Sequence, residues 1–388
     1  MWGEIRVRLA LVGLVGALLL SACALGEWPG ASGGAGGLKG EIPVGAVWSL
    51  HGPGASFGPQ QQNAAALAVQ GINGSGFLGD ATLELLVEDD HSVPQDAVAA
   101  FEKLIDRDHV VALLGPTLST AARQADRVAQ DRQVPVLGVS NTADGIVEIG
   151  EFVFRDSPPE SEVQPSMVRA TRRKLGYERV AIIYAADDAF TTSGYDAFRR
   201  ALEASGAQIV ATEAIRTGER DFARQLTAIA ERQPDAIVLS TLPAEAAAIM
   251  RQARELGLSP AVQFLGGNGF NSPELLALAG RAADGAISGA AWILDAPTPG
   301  NRAFVKAYRE QYGADPDQFA AQAYAGVHLL AAAIRNARSR DPRAIRDALA
   351  RLRGVETVLG KFSFDEARNP VQTPVVQIIR DGKPELFP

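Results

Sequence analysis

From residue 41 onward, apolar and polar positions follow two alternating periods. Short apolar or alternating runs at 42–50, 81–87, 110–114 and 135–139 read as strands. Between them, 58–74, 94–106 and 119–132 read as helices. The first places Ala64, Leu67, Ala68, Gly71 and Ile72 on one face and ends in an Asn-Gly turn. The second turns Val98, Phe101, Leu104 and Ile105 inward. After the proline cluster "RDSPPE" (155–160) the alternation restarts, with strands at 180–184, 208–214, 236–240 and 263–265 and helices at 195–205, 221–233 and 244–257. A second proline cluster, "DAPTPGN" (295–301), precedes a long helix at 319–337, another at 341–352, and a β-rich tail. Strands alternating with helices predict right-handed βαβ units, parallel sheets and an α/β fold.

Two stretches repeat one plan: "ALLGPTLSTAARQADRVAQDRQVPVLGVSN" and "AIVLSTLPAEAAAIMRQARELGLSPAVQFLGGNG". Each is a strand, a Leu-containing turn, an Ala-rich helix with an Arg-Gln pair, and a strand ending at Gly and Asn. This predicts two Rossmann-like lobes of the same topology. In open parallel sheets ligands bind beyond the carboxyl ends of strands. The candidate site is therefore made of the loops at 48–58, 115–120, 138–142, 185–195, 240–245 and 266–270.

The chain start changes the picture. Arg6 and Arg8 precede an apolar run at 9–20 that is too short for a bilayer span, followed by Leu20-Ser21-Ala22-Cys23. This ending resembles a bacterial lipobox. The resemblance implies a signal peptide at 1–22 and a diacylglycerol on Cys23, the chain's single cysteine. Residues 23–40, rich in Gly, Ala and Ser, read as the lipidated cysteine and a flexible tether. The expected location is the cell envelope, outside the cytoplasm, with the lipid anchor as the sole membrane attachment.

Composition removes other classes. The 388 residues are 47% hydrophobic and 21% charged, enough for two substantial cores. A net charge of −8 with no basic-aromatic patch argues against nucleic acid. Four scattered histidines and one cysteine give no recognisable metal cluster, and no P-loop sequence is present. Neither a metal nor a cofactor is expected. The triplet Asp89-Asp90-His91 could mark a metal or catalytic cluster, but Asp90 or Ser92 capping a helix near Pro94 is the favoured reading. No G-x-S-x-G elbow occurs, and His51, in a cleft loop, has no obvious Ser-Asp companion, so an enzyme is not expected.

In order along the chain, "GASFGPQQQNAAALAVQGING", "LELLVEDD", "FRDSPPESEVQ", "AIIYAADDAFTTSGYDAF", "IMRQARELGL" and "KFSFDEARNP" resemble the type I periplasmic-binding-protein superfamily. The resemblance is closest to its leucine/isoleucine/valine-binding branch, which serves ABC importers. It covers about residue 41 to the end. It implies two lobes joined by a three-stranded hinge, with one lobe from 41–156 plus 292–358 and the other from 157–291 plus 359–388. It further implies a monomer that closes on a small-molecule ligand and docks on an importer permease.

Carried over position by position, the resemblance assigns Ser119, flanked by Thr117 and Leu118, to the ligand carboxylate, with Ser140 and Thr142 from the next loop. Phe57 and Phe319 supply aromatic walls, and Phe190 and Leu242 stand where the family has aromatics. For Ser119, Thr117 and Thr142 the competing reading is helix capping. The family's acid for an amino acid's ammonium falls at Asn268, which brings no charge. Either Asp187, Asp188, Glu160 or Glu162 substitutes, or the ligand lacks an ammonium. The expected solute is a branched-chain or related amino acid. An aliphatic or aromatic carboxylate without an ammonium, or an amide, is the alternative, and a ligand-sensing receptor subunit is the alternative class.

Overall fold

The computed structural model describes residues 37–388; the signal segment, Cys23 and most of the tether lie outside them. β1 (Lys39–Trp48), α1 (Gly58–Ser75), β2 (Asp80–Asp89), α2 (Pro94–Asp106), β3 (Leu113–Leu114), α3 (Ser119–Arg132), β4 (Val136–Gly138) and β5 (Val153–Arg155) form the first unit. Its sheet is all parallel in the order β2-β1-β3-β4-β5. The second begins with α4 (Glu160–Leu175), β6 (Arg179–Ala185), α5 (Ala189–Ala204), β7 (Gln208–Ile215) and α6 (Ala223–Ala230). It continues with β8 (Ala236–Ser240), α7 (Pro243–Glu255), β9 (Gln263–Gly266), α8 (Pro273–Ala279) and β10 (Ile287–Ala290). The chain then adds α9 (Asn301–Tyr312), α10 (Gln318–Ala337), α11 (Pro342–Ala350) and the hairpin β11 (Val355–Thr357) and β12 (Gly360–Phe362). It ends with β13 (Val375–Arg380) and β14 (Lys383–Leu386), which extend the second sheet antiparallel beside β10.

The parallel part of the second sheet runs β7-β6-β8-β9-β10, the same order as the first sheet. The repeat seen in the sequence is thus a repeat of topology. In each sheet the order reverses at the first strand, between β1 and β3 and between β6 and β8. Burial follows from this architecture. β8, covered by helices on both faces, is buried at every position, as strands of a parallel sheet must be. Each sheet has an apolar core on each face. α1, α10 and α11 cover one face of the first and α2 and α3 the other; α6–α8 and α4–α5 do the same for the second.

The chain passes between the sheets three times: after β5, after β10 and after β12. The first and third passages are tied by Arg155, whose Nε donates to Asn369 Oδ1 at 2.7 Å and Nη1 to Ala143 O at 2.7 Å. The second and third are tied by Gln372 Nε2 donating to Ala291 O at 2.5 Å.

The proline cluster at 155–160 spans the first of these passages, and it also starts α4: Pro159 is the N-cap, and Pro165 lies inside the helix. α5 begins at Ala189, not near 195, because Asp188 caps it by accepting from Thr191 N at 2.9 Å. The expected cap at α2 is absent. Val93 is the N-cap with no side-chain bond, while Asp90 Oδ1 accepts from Ser92 N and Ser49 Oγ, and Ser92 Oγ donates to His51 O.

Candidate functional site

The two reversal points face each other. Phe57 and Thr117–Ser119 follow β1 and β3; Phe190 and Leu242 follow β6 and β8. These residues, with Ser140, Asn268, Gly269 and Phe319, line one cavity of about 20 Å³. Nine of the ten expected site residues meet there. The tenth, Thr142, lines an adjoining cavity of about 10 Å³ with Glu160, Gln318 and, shared between the two, Asn268. The first has room for about one water. An amino-acid-sized solute needs several times that, so binding here requires the lobes to part or the rings to turn.

Phe57, Leu118, Phe190, Leu242 and Phe319 form an apolar cluster of their own between the sheets. The Phe57 and Phe319 rings lie 4.3 Å apart, tilted by 42°. Large apolar groups exposed at strand ends would be costly; here each lobe's apolar residues cover the other's.

The hydroxyls do not cap α3. Its N-cap, Leu118, is extended and makes no side-chain bond. Thr117 Oγ1 accepts from Ser49 N at 3.0 Å and donates to Gln61 Oε1 at 2.7 Å. Gln61 Nε2 donates to Ser140 Oγ at 2.8 Å, and that hydroxyl donates to Thr117 O at 2.7 Å. Thr117 and Ser140 are therefore committed to a closed buried network that shapes the loops. Ser119 differs. Its Oγ accepts from Ala143 N at 3.2 Å and keeps its proton to donate. The first-turn amides of α3 beside it have no intrahelical acceptor, which suits an anion.

The opposite end is built of amides and one acid. Asn268 Oδ1 accepts from Gln318 Nε2 at 2.5 Å, and Gln318 Oε1 accepts from Asn271 Nδ2 and Ala291 N. Of the four acids that could replace the missing charge, three are placed elsewhere. Asp187 accepts from Thr217, Asp188 caps α5 and accepts from Thr120, and Glu162 is exposed. Glu160 is buried at the cavity wall, accepting from Thr142 Oγ1 at 2.7 Å and Gln164 Nε2 at 2.6 Å. Burial pushes its carboxyl up to about 7, against the downward pull of those two bonds.

Gln61 and Gln318 were not anticipated. Their signal is a polar residue on a helix face otherwise filled by alanines: Gln61 before Ala64, Ala65 and Ala68, and Gln318 and Gln322 on the buried α10. The lobes are also clasped directly. Thr120 Oγ1 donates to Asp188 Oδ2 at 2.6 Å and accepts from Ala189 N at 2.8 Å, and Ser272 Oγ donates to Ser56 O at 3.2 Å.

A two-lobed α/β molecule with matched reversal points closing on a small, partly polar cavity is a solute-binding architecture. The chain belongs to the periplasmic binding protein family, whose profile matches residues 41–383, and the fold is that of its type I branch. It is 26% identical over 330 residues to the Leu/Ile/Val-binding protein of Escherichia coli, covering 85% of this chain and 88% of that protein. It is 24% identical to the leucine-, isoleucine-, valine-, threonine- and alanine-binding protein of Pseudomonas aeruginosa, covering 84% and 86%. It superposes on LivJ, the branched-chain amino acid transporter substrate-binding protein of Streptococcus pneumoniae in complex with isoleucine. There the TM-score is 0.84 and the identity 29%, over 89% of this chain and 98% of that one. The family implies an extracytoplasmic location, and its members are solute-binding proteins, not enzymes.

Proposed function

We propose that this protein is the extracytoplasmic solute-binding component of an ABC importer, held to a membrane by lipid on Cys23 and acting as a monomer. It captures a small carboxylate solute between its lobes, a branched-chain or related amino acid, and presents the closed complex to the permease. The observation that carries the reading is the convergence of Ser119, the free first-turn amides of α3 and five apolar side chains on one interlobe cavity. The Ser119 end takes the carboxylate. The ring and leucine cluster takes an apolar side chain. Glu160, the buried acid beside Thr142 and Asn268, takes the ammonium in place of the absent family acid. The relatives' named ligands support an aliphatic amino acid.

A second reading has its own support. The Asn268–Gln318–Asn271 amides are neutral, and a protonated Glu160 is a donor, so the same wall suits an acid or amide without an ammonium. Affinity against pH separates the two. An ammonium needs ionised Glu160, so amino-acid affinity rises about tenfold per pH unit up to about 7 and then levels. A carboxylate lacking an ammonium is repelled once Glu160 ionises, so its affinity is level below about 7 and falls above it. A thermal-shift screen of leucine, valine, their des-amino acids, aromatic acids and small amides, followed by calorimetry at pH 5.5 and 7.5, decides between them. Silence from every amino acid and carboxylate, with a shift from amides, overturns the carboxylate reading.

A further inference from the structure

Outside the cleft floor, two of the chain's four histidines converge on one carboxylate. His51 lies in the loop after β1, and Asp89 and His91 at the end of β2, about forty residues on, so neither loop alone displays the set. The pairing of β1 with β2, Trp48 beside Asp89, brings the two loops together. One donor atom from each of His51, Asp89 and His91 lies within 4.8 Å of the others. His51 Nδ1 is 2.5 Å and His91 Nε2 3.5 Å from the same oxygen, Asp89 Oδ2. Donor atoms on a tetrahedral ion with bonds near 2 Å lie about 3.3 Å apart, so small rotations of the exposed rings suffice.

The surroundings resemble the outer shell of a metal site. Asp89 Oδ1 accepts from Leu50 N at 2.9 Å and His91 N at 2.8 Å, which fixes the carboxylate and turns Oδ2 to the rings. His91 Nδ1 is 3.3 Å from Asp96 Oδ2 on α2. A carboxylate on one ring nitrogen orients the other toward an ion and raises its basicity. The rings are stacked at 5.8 Å and open to solvent, so an ion can enter and water can complete its shell.

We propose that His51, Asp89 and His91 form a site for a late first-row divalent cation of the zinc type, with Asp96 orienting His91. Two imidazoles and one carboxylate match that class and not calcium or magnesium, which take oxygen ligands. The ion would join the β1–α1 loop to the β2–α2 loop. Ser92 Oγ already donates to His51 O at 2.6 Å and accepts from Gly54 N at 2.9 Å. The clamped loop ends at Phe57, on the wall of the cleft, so the ion would stiffen that wall.

The test is calorimetry with Zn²⁺ on the chain free of any added histidine tag, and visible absorption with Co²⁺. Zn²⁺ binds with a stoichiometry of one and a Kd below roughly 100 μM, and Co²⁺ gives a ligand-field band of low-symmetry coordination. His51→Gln and His91→Gln, both at exposed positions, each weaken binding about tenfold or more, and Asp96→Asn weakens it up to about tenfold. Binding that survives both histidine substitutions, or no binding at millimolar Zn²⁺, overturns the assignment.

Discussion

At the scale of single residues, Ser119 and Thr117 show how one short stretch divides its work. Both are buried hydroxyls at the start of α3, and neither caps it. Thr117 is spent on Ser49 and Gln61, whereas Ser119 retains a donor. Ser119→Ala should therefore weaken the ligand found by screening by about tenfold, the worth of one hydrogen bond to a charged group, and should cost about 1–3 kcal/mol of stability because the buried Ala143 N–H loses its acceptor. Full affinity in that variant, measured by calorimetry, would remove Ser119 from the carboxylate site. The hydroxyl pattern was legible in the sequence. Which hydroxyl stays free was not, because Gln61, more than fifty residues away on α1, decides it.

At the scale of elements, the N-termini of α3 and α5 touch across the cleft. Thr120 both donates to Asp188 and accepts from Ala189 N, so one side chain satisfies the start of the opposing helix. Thr120→Val keeps the shape and removes both bonds. The unliganded protein should then populate the open form more, seen as a larger radius of gyration by small-angle scattering, and ligand affinity should fall about tenfold. An unchanged radius and affinity would mean that the clasp does not hold the lobes. Strands and helices were readable here because a parallel sheet demands continuous apolar runs and its helices a three-to-four spacing. The start of α4 was not, because prolines that stop a helix from one side begin it from the other.

At the scale of the whole molecule, buried acids shape stability. Burial pushes Glu160 and Asp317 each up to about 7, despite the hydrogen bonds that oppose it. Between the ordinary carboxylate range and about 7 the folded state holds protons that the unfolded chain has released. These two groups therefore make stability fall as pH rises through that window, by up to about 1.4 kcal/mol per pH unit for each group, and their contribution levels above it. Denaturant melts of the unliganded protein at pH 5, 6, 7 and 8 should show this, and Glu160→Gln should flatten part of it. An ammonium-bearing ligand would offset the same loss by pairing with the ionised Glu160, so its stabilising effect should grow with pH.

The sequence by itself determined the α/β class, the two repeated lobes and the loops that line the candidate site. These follow from local periodicity and from the rule that strand ends point to one side of a parallel sheet. Tertiary structure decided everything that depends on residues far apart in the chain. It placed Glu160 in the wall of the cavity beside Thr142, and it spent the equally buried Asp188 on capping α5 and on the bond from Thr120. It tied Thr117 and Ser140 through Gln61. It also set His51 beside Asp89 and His91, through the register of β1 on β2. Periodicity tells each residue which way to face; only packing tells it what it will find there.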